Sequence, residues 1–128
     1  MSDLNSRNNR VVWFDIPVAD LDRAQAFYAA VLGIKVHREQ FNDFKFCVLD
    51  HGEGNGGCLV PDAGAISDKA GILVYMNVDG RIHDACAQVG ARGGRIVEAI
   101  HPIGPHGFRA IVVDSEGNRI ALHSTADA

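Results

Sequence analysis

Six histidines and three cysteines give this sequence most of its reactive side chains. His101 and His106 stand five apart in HPIGPHGFR, near enough to share a metal ion. No third carboxylate lies at a recognisable ligand spacing, and a catalytic ion needs three protein ligands. Arg109 in the same stretch can pair with an anionic substrate group, or serve as an ordinary strand charge. Histidine side chains in general can take up or release a proton near neutrality, and His123 is read as a general base or a hydrogen-bond partner for a ligand. His37, His51 and His83 read as surface residues. Cys47, Cys58 and Cys86 contain no CxxC pair and read as small buried hydrophobes in a reducing compartment. The turn HGEGNGG (51–57) lacks the strand–GxGxxG–helix context of a phosphate cradle.

These residues must be placed by secondary structure. VVWFDIPV (11–18) alternates as a strand, with Val12, Phe14, Ile16 and Val18 on one face and Trp13 and Asp15 on the other. Pro17 marks an edge or an end of this strand. Asp20 is a good N-cap for a helix over about Leu21 to Leu32, whose stripe is Leu21, Ala24, Phe27, Tyr28, Val31 and Leu32. Gly33 stops it. Strands are expected over 34–41, 43–49 and 57–60, then a linker over 61–70. The second half repeats the plan: a strand over 71–78, a helix capped by Asp79 and stopped by Gly90, then strands over 95–100, 108–113 and 119–123. Ile82, Ala85, Cys86 and Val89 form its inward face. DSEGN (114–118) reads as a tight turn with glycine at its left-handed position. An offset of 60 residues places Val18 on Val78 and Gly33 on Gly93, a repeat of pattern more than of identity.

The expected fold is therefore α+β: two tandem βαβββ modules, about 11–60 and 71–124, in one domain (11–124) behind a flexible segment (1–10). A four-stranded sheet with one helix leaves a face open. Two such modules can set their mixed sheets around a common cleft, where small-molecule sites tend to lie.

Bulk properties narrow the partners. The chain has 128 residues, 47% of them hydrophobic and 22% charged, with a net charge of −4. That is the balance of a globular domain. Mild acidity and the lack of a Lys/Arg cluster argue against nucleic acid. No apolar run approaches the ~20 residues that span a bilayer, so no membrane partner is expected. The polar first ten residues lack the apolar core of a signal peptide, which points to the cytoplasm.

The segments VADLDRAQAFYAAVLGIKV (18–36), GILVYMNVDGRIHDACAQVGARGG (71–94) and DSEGNRIALHS (114–124) together resemble the vicinal oxygen chelate superfamily: glyoxalase I, extradiol dioxygenases and bleomycin-resistance proteins. The last segment looks like the family's Asp-Pro-x-Gly-Asn turn, with Ser115 in place of proline. The nearest subgroup is the small glyoxalase-like proteins whose last strand ends in Leu-His-Ser. In metal-dependent members, four inward positions carry His, Glu or Gln. The resemblance carries these onto Trp13, Cys58, Leu73 and Ala121. Three of the four offer no donor, so the resemblance implies a protein without the family's metal and no cofactor is expected. If those residues face the cleft, Asp15, Tyr75, Asn77, Arg119 and His123 face it too.

Two functions follow as expectations. One is a glyoxalase-like lyase or isomerase that acts on a small carbonyl-bearing metabolite without metal, with His123 and either Tyr75 or Asp15 moving a proton. The other is a sequestering protein for an aromatic or cationic compound, with Trp13 and the acidic groups supplying affinity. A metal-dependent lyase would require a different ligand alignment. The resemblance also implies a homodimer.

Overall fold

Helix α1 (Leu21–Leu32) forms where its end signals place it. The Asp20 carboxylate accepts from the Arg23 amide at 3.0 Å. Gly33 closes the helix in the left-handed region, at φ +66°. Ala24, Phe27, Tyr28 and Val31 recur at helical spacing and are fully buried. These features belong to a computed structural model, which describes residues 11–128. The expected flexible segment 1–10 lies outside the described residues.

The first half contains β1 (Asp15–Val18), α1, β2 (Val36–Phe41), β3 (Phe44–Leu49) and β4 (Cys58–Pro61). The second contains β5 (Tyr75–Asn77), α2 (Ile82–Ala91), β6 (Arg95–Pro102), β7 (Phe108–Val113) and β8 (Arg119–Ser124). The first sheet has the order β1-β4-β3-β2 and the second β5-β8-β7-β6. Each is mixed. β1 runs parallel to β4 and β5 parallel to β8, and the other pairings are antiparallel. The fold is thus α+β, with two four-stranded sheets and two helices.

Strand alternation sorts the side chains. Ile16, Val18, Cys47, Leu49 and Leu59 of the first sheet, and Met76, Ala110, Val112, Ile120 and Leu122 of the second, enter one shared core with both helices. The opposite face of each sheet carries no helix. There the register sets Asp15 beside Cys58, Val48 beside His37, Tyr75 beside Ala121, and Arg109 between His101 and His123. Edge strand β6 is broken by two register shifts, between Ile96 and Glu98 and between Glu98 and His101, which is typical of bulged edges.

Several expectations are corrected. The strands over 11–18 and 71–78 begin only at Asp15 and Tyr75, where pairing with Cys58 of β4 and Ala121 of β8 starts. Asp79 does not cap α2. Its carboxylate accepts from the Thr125 amide and hydroxyl, both at 2.6 Å, and Arg81 precedes the helix without a side-chain cap. Gly90 lies inside α2. The positive-φ glycine after that helix is Gly93, at +92°, the repeat partner of Gly33.

The DSEGN turn holds the two halves together. Tyr28 donates its hydroxyl to Asp114 at 2.5 Å. Asp114 also accepts from the amides of Glu116 and Asn118 and from the Asn118 side chain. Glu116 reaches across to α1, accepting from the amides of Ala19 and Asp20 and from Arg23 at 2.7 Å. Asn118 donates to the Pro17 carbonyl at 2.7 Å. Arg81 likewise donates to the Val31 carbonyl at the end of α1. Gly94 must lack a side chain, since a Cβ there would lie 2.5 Å from the Val113 carbonyl oxygen.

Candidate functional site

On the open face of the first sheet, the Trp13 indole N–H donates to the Cys58 sulfur at 3.4 Å. The Cys58 thiol donates to Asp15 at 3.0 Å. Burial, and then the bond to Asp15, push the Cys58 pKa from 9.0 up to about 11. It is therefore a neutral thiol near pH 7, not a thiolate. His51 meets the indole edge-on at 5.7 Å between centroids. Its Nδ1 lies 2.8 Å from the Gly54 carbonyl, so Nδ1 carries the proton. A cavity of about 400 Å³ is walled here by Trp13, His37, Glu39, Phe46, Asp50 and His51. His37 and Asp50 face each other at 3.5 Å.

On the open face of the second sheet, Arg109 donates to the Tyr75 hydroxyl at 2.5 Å and to His101 Nε2 at 3.1 Å. His101 Nδ1 lies 2.8 Å from the Ala99 carbonyl. An imidazole that donates at one nitrogen and accepts at the other is neutral, so these bonds set the His101 tautomer. His123 Nε2 lies 2.7 Å from the His106 carbonyl. Its proton sits there, and in the neutral ring the lone pair is on Nδ1. Tyr75, Asn77, Ile103, His106, Arg109 and His123 line a cavity of about 540 Å³.

A third cavity, about 410 Å³, joins the two. It shares His51 with the first and Tyr75, Met76 and Asn77 with the second. The three cavities thus adjoin in series as one trough. Trp13, Asp15 and Cys58 meet at one end of it. Tyr75, Arg109 and His123 meet at the other. Leu73 is half-buried just before β5, outside any strand, and Ala121 is fully buried beside Tyr75. Arg119 opposes Val113 at the turn end of β8, away from His123.

His51, read from the sequence as a surface residue, lines the first cavity, as do Glu39, Phe46 and Asp50, which the sequence reading assigns to no site. The glycines of HGEGNGG held a signal for His51. A Cβ on Gly56 would lie 2.6 Å from the His51 ring, and one on Gly57 2.5 Å from Phe14, so the turn is glycine-rich to let these rings in. Glu39 and Phe46 become visible only with the β2–β3 register, which sets them side by side.

The donor set at Trp13, Cys58, Leu73 and Ala121 does not fit a divalent metal. One protonated thiol is its only donor, where three ligands are needed. Among the described residues, no group of three or more His, Cys, Asp or Glu side chains is placed to hold an ion. Nor is any helix there long and apolar enough to cross a membrane.

Residues 10–49 match the family model described as bleomycin resistance protein-like N-terminal. No curated protein matches the sequence. Solved structures do match the fold. A glyoxalase/bleomycin resistance protein/dioxygenase family enzyme from Burkholderia phytofirmans is 17% identical, with a TM-score of 0.69 over 88% of this chain and 96% of that one. The fosfomycin resistance protein FosX from Listeria monocytogenes is 12% identical, with a TM-score of 0.68 over 92% and 94%. A glyoxalase I mutant from Zea mays is 20% identical, with a TM-score of 0.67 over 88% of this chain and 46% of its own. Over residues 10–49 the chain is similar to the bleomycin resistance protein-like family, and its fold is that of these glyoxalase, bleomycin resistance and fosfomycin resistance structures.

Proposed function

We propose that the trough binds a small carbonyl-bearing organic metabolite and that His123 moves a proton on it, as a glyoxalase-like lyase or isomerase does, without the family's metal. The observation that carries this reading is the His123 ring. Its Nε2–H is spent on the His106 carbonyl, which leaves Nδ1 as the basic atom of the neutral ring. Tyr75 is its partner rather than Asp15. Tyr75 lines the same cavity, whereas Asp15 holds the Cys58 thiol at the other end. Trp13, Cys58, Leu73 and Ala121, onto which the resemblance carries the ligand positions of metal-binding relatives, then serve as walls and packing of the trough.

The test is deuterium exchange from solvent into a panel of small ketones and oxo-acids, followed by NMR. His123→Ala should slow exchange by ~10²–10⁴ while ligand affinity persists. Exchange unchanged by the substitution contradicts the proposal.

A second reading is sequestration of an aromatic or cationic compound without turnover. It is favoured by the first cavity, where Trp13 and Phe46 stand beside Glu39 and Asp50. Binding with no exchange in the native protein would select it.

We further propose that the chain pairs as a homodimer in a reducing cytoplasm, as one domain over 11–124. Support comes from the exposed apolar side chains Phe41 and Phe44 on one open face and Ile96 and Val97 on edge strand β6, and from three free cysteines. Sedimentation equilibrium reads the pairing directly.

A further inference from the structure

The two ends of the trough differ in charge, and that difference constrains what it binds. The end over the first sheet is aromatic and acidic. Trp13 and Phe46 form its apolar wall and Glu39 and Asp50 its carboxylates. Asp50 is shared with His37 at 3.5 Å, while Glu39 has no cationic partner among the described residues. The end over the second sheet is reversed. Arg109 is the charged group there, flanked by Tyr75, His106 and His123, and no carboxylate lines it. Arg109's hydrogen-bond partners, His101 Nε2 and the Tyr75 hydroxyl, carry no negative charge, so neither cancels that of the guanidinium. The joining cavity makes the two ends continuous through His51 and Tyr75.

We infer that the ligand is bipolar: a flat, positively charged group lies against Trp13 and Glu39, and a carboxylate or similar oxyanion meets Arg109. The inference rests on reading the trough as a small-molecule site and adds the ligand's chemical class. A cation placed over an aromatic face and beside a carboxylate is favoured twice. A planar guanidinium matches a planar oxyanion. A ligand with the opposite polarity, or two like charges, would meet repulsion at one end.

The test uses para-(aminomethyl)benzoate, para-(aminomethyl)phenylacetate and its phenylpropanoate homologue as bipolar probes. Benzylamine and phenylpropanoate are the single-charge controls. Calorimetry gives affinity, and fluorescence of Trp13, the chain's one tryptophan, reports occupancy of the acidic end. At least one bipolar probe should bind about tenfold or more tightly than either control, the gain expected of one added charge-assisted contact. Glu39→Gln should remove the gain over phenylpropanoate, and Arg109→Ala the gain over benzylamine. Circular dichroism of both variants checks that the fold persists. If the controls bind but no bipolar probe binds more tightly, the inference is overturned and the small-molecule reading stands. If none of the five binds, both are overturned.

Discussion

The turn between β7 and β8 and the strands that flank it carry two sets of polar side chains with opposite fates. On the helix side, Asp114 accepts four hydrogen bonds, and Glu116, whose side chain is fully buried, accepts from two amides, Arg23 and Ser115. On the trough side, Arg109 and His123 make only one or two bonds each, at least partly to backbone or neutral groups, and line a cavity. Both sets sit within fifteen residues of one another in sequence. Residue type therefore does not separate structure from function here. Saturation does. A buried carboxylate with every lone pair matched has no capacity left for a ligand, whereas a guanidinium beside a phenol and a neutral imidazole retains its charge for one.

Substitutions on each side test the contrast. Asp114→Ala leaves the Tyr28 hydroxyl, two amides and the Asn118 side chain without their acceptor. It should lower stability by about 3–5 kcal/mol in urea titrations. A loss under about 1 kcal/mol would break the comparison. Burial and the neighbouring carboxylate hold the Tyr28 pKa well above 10.0. The folded state therefore retains this proton more tightly than the unfolded chain. Its contribution is complete below the ordinary tyrosine value and falls as pH rises past it. Tyr28→Phe should remove that alkaline dependence.

Glu116→Gln comes next, at about 1–3 kcal/mol. Burial opposes its charge, but Arg23, the Asp20 and Ala19 amides and Ser115 outweigh it and lower the pKa from 4.5. Because the folded value is depressed, the contribution is present above the unfolded value and is lost as pH falls below it. The gap between native protein and variant should thus close on acidification from pH ~5. A gap that widens on acidification contradicts the assignment.

Cys58 gives a chemical readout of the trough floor. With its pKa near 11 against an ordinary 9.0, the thiolate fraction near neutrality is roughly a hundredfold below that of a free thiol. Alkylation by iodoacetamide should be slow, and Asp15→Ala, which removes both the acceptor and its charge, should speed it. The smallest stability effect belongs to His123→Ala, under about 1 kcal/mol, despite its large expected effect on exchange. A destabilisation equal to that of Asp114→Ala would make His123 a structural residue.

The parts of the fold legible in the sequence were those with an unambiguous local signal. Helix α1 has its expected ends because Asp20 and Gly33 each do one local job. Helix α2 does not. Asp79 is claimed by Thr125, a contact across 46 residues, and Gly90 is tolerated in a helix whose stop is Gly93. Alternation alone set Trp13 with Asp15 and Tyr75 with Asn77. It did not show that Glu39 and Phe46 belong with Trp13, since that depends on which strand pairs with which. Nor did it show the charge difference between the two ends, which appears only when residues from five strands share a surface.

The account's central claim is that the trough works without a metal site at Trp13, Cys58, Leu73 and Ala121, the positions onto which the resemblance to the vicinal oxygen chelate superfamily carries the chelating residues. Metal retention tests it most directly. Protein incubated with Zn²⁺, Ni²⁺, Mn²⁺ or Fe²⁺ and then dialysed is assayed by elemental mass spectrometry, alongside Cys58→Ala. Metal far below one ion per chain in both proteins is the expected result. Near-stoichiometric metal in the native protein that is lost in Cys58→Ala would contradict the claim.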